Sequence, residues 1–192
     1  MARIPFAAIE EKPHKIQEFF AKVKKNNNGR IIDVQRLVAH SPAAVREFVR
    51  FGNSLLVKGE LNGRWRELAI MRLSFMIGAR YEWAHHAPIA LRAGITKEQL
   101  EKIDQWRDSN LFSEEDKVVL AFTEEVVRDS EPSAETFAAA DRFLSPTDLV
   151  ELTLTIGYWS LVAKFLRTFQ VEVEDWFLKE AGHDLPEHGP KP

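Results

Sequence analysis

The sequence of 192 residues contains no cysteine. Disulfide bonds, thiolate metal ligands and redox chemistry run by a protein thiol are therefore excluded. No run of 18 apolar residues occurs, and the first residues, MARIPFAAIEEK, lack the long apolar segment of a signal peptide. We therefore expect no membrane partner and a cytoplasmic location.

An excess of charge of either sign is also missing, since the formal net charge is −3. The densest basic run, KVKK at Lys22–Lys25, is typical of the solvated end of a helix, so no nucleic-acid partner is expected. Hydrophobic residues make up 45% of the chain and charged residues 29%, as in ordinary soluble proteins. A chain of this length most simply forms one domain, 1–192.

What the sequence does contain is apolar spacing of helical period, with no convincing strand pattern. It predicts an all-α, single-domain bundle of about eight helices. Cap patterns at Ser41-Pro42, at Thr96 with Gln99 and at Ser113 support three of the helix starts. The helical segments, short ones included, are 13–25, 33–39, 42–57, 64–78, 81–93, 96–106, 113–128, 133–144, 146–170 and 175–181. Residues 183–192 are predicted to be a flexible tail.

The stretch RYEWAHHAPIALRAG, residues 80–94, places polar groups inside an apolar helical pattern. Glu82 and His86 lie four residues apart, on a stripe that continues with apolar residues, so both should face the core. His85 instead shares a stripe with Tyr81 and Arg92, which places it nearer the surface or the rim of a pocket.

On the preceding predicted helix, Glu67 heads a second inward row, so two carboxylates and one imidazole could converge in one pocket. Buried ionisable groups need a partner or a changed protonation state, and both outcomes suit acid–base catalysis. The alternative is a purely structural network, in which Glu82 bonds His86 and Glu67 meets an arginine such as Arg72.

Other features leave alternatives open. Pro88 should kink or loosen this helix, or the helix begins again there.

Glu82-x-x-His85 matches the repeated unit of di-iron bundles, but no second such unit occurs, so we predict neither a metal nor a cofactor. Tyr158 and Trp159, on the long late helix, are expected in the core, with the lining of the pocket as the alternative.

The segment GRWRELAIMRLSFMIGARYEWAHHAPIALRAGITKEQLEKI resembles the carboxymuconolactone decarboxylase family, which includes alkylhydroperoxidase D-like proteins. The core of the likeness covers 55–106, and a looser match extends through LVELTLTIGYWSLVAKFL. Its recognisable elements are Arg-x-x-Glu-Leu around Glu67, Tyr-Glu-Trp at Tyr81–Trp83, His86, and Ala-Gly-Ile before an acidic helix.

This resemblance implies an alkylhydroperoxidase D-like fold and a homo-oligomer, a trimer or hexamer, with the pocket at or near a subunit boundary. Glu67 and His86 match the glutamate and histidine of the peroxidase branch. Its two cysteine positions are occupied here by Ala79 and Glu82, and the histidine between them by Tyr81. The chain thus resembles a cysteine-less Tyr-Glu-Trp-x-x-His subgroup, for which thiol peroxidase activity is not expected.

The decarboxylase branch similarly lacks the cysteine pair and uses no metal or organic cofactor. The resemblance therefore implies a cofactor-free lyase or isomerase acting on a small carboxylated lactone or a related product of aromatic catabolism. His86 would be the general acid–base, Glu82 would orient its ring, and Glu67 would be a second proton donor or acceptor. Tyr81 and His85 would bind substrate oxygens. The alternative is a catalytically silent oligomeric binding or stress-related protein on the same scaffold.

Overall fold

In the computed structural model, residues 2–182, 185–186 and 189–190 are described, and this part of the chain contains helices and no strand. The all-α prediction is confirmed. The described residues form ten α-helices, one in each of the ten predicted segments, so the estimate of about eight was too low. They are α1 (His14–Asn26), α2 (Asp33–Val38), α3 (Val45–Asn53), α4 (Gly63–Ile77), α5 (Arg80–Arg92), α6 (Lys97–Glu101), α7 (Glu114–Asp129), α8 (Ala134–Ala140), α9 (Pro146–Phe169) and α10 (Asp175–Ala181).

Helix α4 is the centre of the bundle and packs against α5, α7 and α9. A helix surrounded in this way needs apolar residues on more than one face. The buried residues of α4 meet that need, since they include Leu68, Ala69, Ile70, Met71 and Leu73.

Helix α9 lies alongside α4 and is long and apolar enough to cross a membrane by length and composition alone. Core helices of soluble proteins share that property. One side of α9 belongs to the main core, through Leu152, Ile156, Trp159 and Ala163.

The first three helices form a second layer over α5 and α9. Phe20 of α1 and Val45 of α3 belong to a small core of their own, against which Phe165 of α9 packs. A further cluster joins Val34 of α2 to Tyr81 of α5. This layer, resting on α5 and α9, encloses the cavity described below.

The turn between α4 and α5 sets two functional helices side by side. Gly78 ends α4 in the left-handed conformation, with φ of 74°, which glycine adopts without a steric penalty. The backbone N–H of Ala79 then donates to the carbonyl of Ser74, and α5 begins at Arg80. Helix α5 continues through Pro88 to Arg92, so it does not begin again at the proline.

Helix boundaries depart from the prediction by three residues or more in α3, α6 and α8, and α8 ends at Ala140 rather than at residue 144. The segment predicted at 96–106 is helical only to Glu101, and the carbonyl of Ile103 accepts a hydrogen bond from Arg72 rather than continuing the helix. The capping boxes at Thr96 and Ser113 are present, whereas Ser41 caps nothing and α3 begins at Val45.

The predicted tail at 183–192 falls partly outside the described residues, since 183, 184, 187, 188, 191 and 192 are not among them. Leu185, which is described, packs against the main core.

Candidate active site

A cavity of about 130 Å³ lies between α2, α3, α5 and α9. Most of its wall is apolar, and the described residues that line it include no lysine or arginine. The lining residues are Ile32, Val34, Gln35, Phe48, Val49, Gly52, Asn53, Leu56, Tyr81, Glu82, His85, His86, Tyr158, Trp159, Val162 and Leu166.

Glu82 lies in the first turn of α5 and is 2% exposed. Neither of its carboxyl oxygens has a hydrogen-bond partner among the described residues. Burial raises the pKa of Glu82 well above its usual range, because a charged carboxylate would lose its hydration without compensation. Burial therefore favours the protonated carboxylic acid, which can both donate and accept a hydrogen bond.

His86, one turn further along α5, is held from both sides. Its Nδ1 lies 2.9 Å from Oε2 of Glu67, and its Nε2 lies 2.8 Å from Nε1 of Trp159. An indole N–H can only donate, so Nε2 is the accepting nitrogen and Nδ1 carries the proton that is donated to Glu67. Both ring nitrogens are thus occupied, and the tautomer is fixed by its neighbours.

Glu67 is fully buried on α4 and stands behind His86 rather than on the cavity wall. Its second oxygen, Oε1, accepts a hydrogen bond of 3.1 Å from Nε of Arg66. A continuous chain therefore runs from Arg66 through Glu67 and His86 to Trp159. His86 cannot take up a proton at Nε2 without giving up its bond to Trp159.

The structure assigns the partner of His86 differently from the sequence prediction. Glu82 was expected to orient the imidazole, and this is wrong, because groups from α4 and α9 occupy both ring nitrogens. The alternative prediction was a purely structural network, and of its two contacts only the one between Glu67 and an arginine is present. That arginine is Arg66, because Arg72 pairs with Glu124 across the bundle.

Tyr81 and His85 line the cavity, but their polar atoms are committed to Glu174, which follows α9. The Tyr81 hydroxyl donates to Oε1 of Glu174 at 2.6 Å, and Nε2 of His85 lies 2.8 Å from Oε2. The backbone N–H of Asp33 also donates to Oε1, at 2.8 Å. The ring of His85 stacks on those of Tyr81 and Phe177.

Burial alone would raise the pKa of Glu174, but the hydrogen bonds and charge of His85, and the bonds from Tyr81 and the Asp33 backbone, outweigh it. The pKa of Glu174 is lowered as a result. No group of three or more possible ligands for a metal occurs among the residues described, and Nε2 of His85 is directed at Glu174. The Glu82-x-x-His85 pair therefore has no further ligands in this part of the chain.

Sequence reasoning missed most of the cavity wall, including Trp159, Tyr158 and Gln35, whose side chains bear polar groups. Trp159 and Tyr158 were assigned to the core, although a buried indole N–H needs an acceptor and this signal pointed to a polar neighbour. Gln35 gave no signal, since it stands in a helix of six residues, and its buried Oε1 has no partner among the described residues.

Tyr158 approaches the backbone of α3 closely. Its hydroxyl donates to the carbonyl of Phe48 at 2.9 Å, and burial, with the nearby Glu82, raises its pKa. This approach requires glycine at position 52, where a Cβ would lie 2.6 Å from the Tyr158 hydroxyl.

Comparison with known proteins places this arrangement in context. Residues 42–125 match the carboxymuconolactone decarboxylase family. No functionally curated protein matches the chain. Among solved structures, the fold is similar to that of an alkylhydroperoxidase AhpD core, a peroxidase-related protein from Ralstonia eutropha JMP134. The identity is 18%, the TM-score is 0.78, and the match covers 92% of this chain and 94% of the other.

Two further structures share the fold. A peroxidase-related protein from Silicibacter sp. TM1040 is 14% identical, with a TM-score of 0.76 and coverage of 91% and 92%. A variant of the debrominase Bmp8, in complex with 2,3,4-tribromopyrrole, is 15% identical, with a TM-score of 0.74 and coverage of 94% and 100%. Together with the family match, these structures confirm the resemblance seen in the sequence.

Proposed function

We propose that this chain, whose residues 42–125 belong to the carboxymuconolactone decarboxylase family, is a cofactor-free acid–base enzyme, a lyase or isomerase of small ring compounds. One observation carries the proposal: the buried carboxyl group of Glu82 has no partner among the described residues and lies in the wall of an apolar cavity. Its volume, about 130 Å³, suits a single ring, since an engineered cavity of about 150 Å³ holds benzene.

In this proposal Glu82, rather than His86, is the group that transfers the proton. A carboxyl whose pKa is raised by burial is a general acid suited to neutral pH. In a decarboxylation, the bond to the departing carboxylate breaks and carbon dioxide leaves. The electron pair stays on the ring carbon, and the proton of Glu82 is transferred to that carbon. Water then returns a proton to Glu82.

His86 has a positioning role in this scheme. Its ring is fixed by Glu67 and Trp159, so it gives the wall next to Glu82 a defined shape and a fixed dipole. Tyr81 and His85, predicted to bind substrate oxygens, instead complete the wall through their bonds to Glu174. The debrominase relative, in complex with a halogenated pyrrole, is consistent with a ring-sized ligand in this fold.

We also propose that the protein forms the homo-oligomer predicted from the sequence, a trimer or hexamer. The outer face of α9 exposes Val150, Leu154 and Leu161, at spacings of four and seven residues. An apolar stripe of this kind is typical of a subunit contact. The mass in solution, measured by light scattering, tests this proposal.

A second candidate is the catalytically silent binding protein on the same scaffold. It is favoured by the complete satisfaction of His86, since an imidazole with both nitrogens bonded behaves as a structural group. In that case the cavity would bind a ring compound and leave it unchanged.

Hydrogen exchange separates the two candidates. The native protein is incubated in D₂O with five-membered lactones, with and without a carboxylate, and loss of C–H signals is followed by NMR. We expect exchange at least about 100-fold faster than with Glu82→Gln, because the ionised form of Glu82 removes the ring proton and its acid form returns a deuteron, whereas an amide of the same size does neither. Glu131→Gln, at an exposed site, is the matched control.

Equal rates for native protein and Glu82→Gln would overturn the role given to Glu82. Lactones that bind without any exchange would favour the silent binding protein.

A further inference from the structure

A second, wider depression adjoins the cavity. It lies between α1 and α3 and has a volume of about 650 Å³. Gln35, Val49 and Asn53 line both spaces, so the cavity and the depression are adjacent along these residues. We call the wider space the basic groove, because of the side chains around it.

Four cationic residues line the basic groove: Lys15, Lys22, Arg46 and Arg50. Among the described residues that line it, Glu18 is the one acid and lies 3.6 Å from His14, and Arg50 lies 3.6 Å from Glu47.

Lys15, Lys22 and Arg46 form no ion pair within the described part of the chain, so the groove retains uncompensated positive charge. Arg46 is half-buried, and its charge is therefore screened less by salt than that of an exposed lysine.

The cavity and the basic groove differ in the charge of the ligand group that each can bind. No lysine or arginine lines the cavity among the described residues, so a carboxylate placed there would have no cation to compensate its lost hydration. Gln35 Oε1 can only accept a hydrogen bond and lacks a donor, and Glu82 lacks any partner. A neutral group that both donates and accepts, such as a hydroxyl on a ring, meets these needs.

We infer, on the basis of the proposed function, that the substrate is a carboxylic acid in which a short linker joins the carboxylate to a neutral hydroxylated ring. A neutral hydroxylated ring occupies the cavity beside Glu82 and Gln35, and a carboxylate on a short linker lies in the basic groove near Lys22 and Arg46. This deepens the proposed function, because a carboxylate held in the basic groove is not the group that departs beside Glu82, so the reaction at the ring is an isomerisation rather than a decarboxylation. The groove selects the charged end, and the cavity selects the ring.

The test compares 3-(4-hydroxyphenyl)propanoate with its neutral amide, two probes of nearly the same shape. Binding is measured by calorimetry at low and high salt. For the native protein we expect the acid to bind about fivefold more tightly than the amide at low salt, an advantage of the size expected for surface charge pairs. High salt should reduce this advantage.

The double variant Lys22→Gln, Arg46→Gln should bring the ratio of acid to amide affinity close to one, with amide affinity unchanged. Lys25→Gln, an exposed position on α1 outside the groove, is the matched control and should keep the native ratio. Glu82→Gln should also keep the ratio. Unchanged thermal unfolding of the unliganded variants shows that they are folded.

The inference is overturned if acid and amide bind equally to the native protein, if neither binds, or if the ratio survives in the double variant. These measurements use binding alone. Their failure therefore leaves the exchange assay for Glu82 as an independent test of the proposed function.

Discussion

Two glutamates of this protein are almost equally buried and yet in opposite circumstances. Glu82 is 2% exposed and Glu174 is 8% exposed. Glu174 is bonded by Tyr81, by His85 and by the backbone of Asp33, whereas Glu82 has no partner among the described residues. The pKa of Glu174 is lowered and that of Glu82 is raised.

The difference shows how one side-chain type serves two purposes beside α5: Glu82 is a residue of this helix, and Glu174, after α9, bonds two of its side chains. The partners of Glu174 come from α5 and from the start of α2, so this carboxylate joins the segment after α9 to both. Its bonding capacity is used within the protein. Glu82 keeps its capacity for a ligand or a substrate, at a cost in stability.

Removing Glu174 should have the largest effect on stability. Glu174→Ala leaves Tyr81, His85 and the Asp33 N–H without their acceptor, and we expect a loss of about 3 kcal/mol in the free energy of unfolding. Urea denaturation measures this loss. Glu131→Ala, at an exposed position, should change stability by less than about 0.5 kcal/mol. A Glu174→Ala protein as stable as this control would show that the bonds contribute little.

Removing Glu82 should act in the opposite direction. Glu82→Leu replaces a buried carboxyl without a partner by an apolar group of similar volume, so we expect stabilisation by about 2 kcal/mol in urea denaturation. Glu67→Leu is the contrasting variant. It deprives Arg66 and His86 of their acceptor and should destabilise the protein. Destabilisation by Glu82→Leu would mean that the carboxyl has a bound partner, such as ordered water.

Glu82 and Glu174 should contribute slopes of opposite sign to the dependence of the free energy of unfolding on pH. Because the pKa of Glu82 is raised on folding, its contribution is complete at low pH and is lost as the pH rises through the folded-state pKa. Native stability relative to Glu82→Gln should therefore fall with rising pH, by at most about 1.4 kcal/mol per pH unit.

Glu174 should show the reverse, because its pKa is lowered on folding. Its contribution is present above the usual glutamate range and is lost as the pH falls through the folded-state pKa. Native stability relative to Glu174→Gln should thus fall towards acid pH. Chemical denaturation at a series of pH values checks both slopes, and slopes of the same sign would contradict the comparison.

The sequence predicted the helices well because apolar period and capping residues act locally. Thr96 and Ser113 begin helices where their patterns indicate. It predicted that Glu82 and His86 would face inwards for the same reason. The contact just beyond the end of α6 could not be predicted, since it joins the carbonyl of Ile103 to a guanidinium 31 residues away, that of Arg72.

The hydrogen-bond partners within the site could not be predicted from the sequence for a similar reason. His86 bonds Glu67, 19 residues away, and Trp159, 73 residues away, and neither contact follows from the spacing within one helix. Glu174 lies 93 residues from Tyr81. Spacing identifies which residues turn inwards, but only the packing of α4, α5 and α9 decides which of them meet.

Because position 52 is a glycine, it offers a way to alter which ring sizes the cavity accepts. Tyr158 rests against the bare backbone of Gly52, and a single added methyl group would lie 2.6 Å from its hydroxyl. The tyrosine would have to move, and with it part of the cavity wall. The dimensions of the cavity thus depend on a position of α3 as well as on α5, the helix that carries Glu82. Position 52 offers laboratory evolution a way to change the size of the accepted ring while the proton-transfer chemistry is preserved.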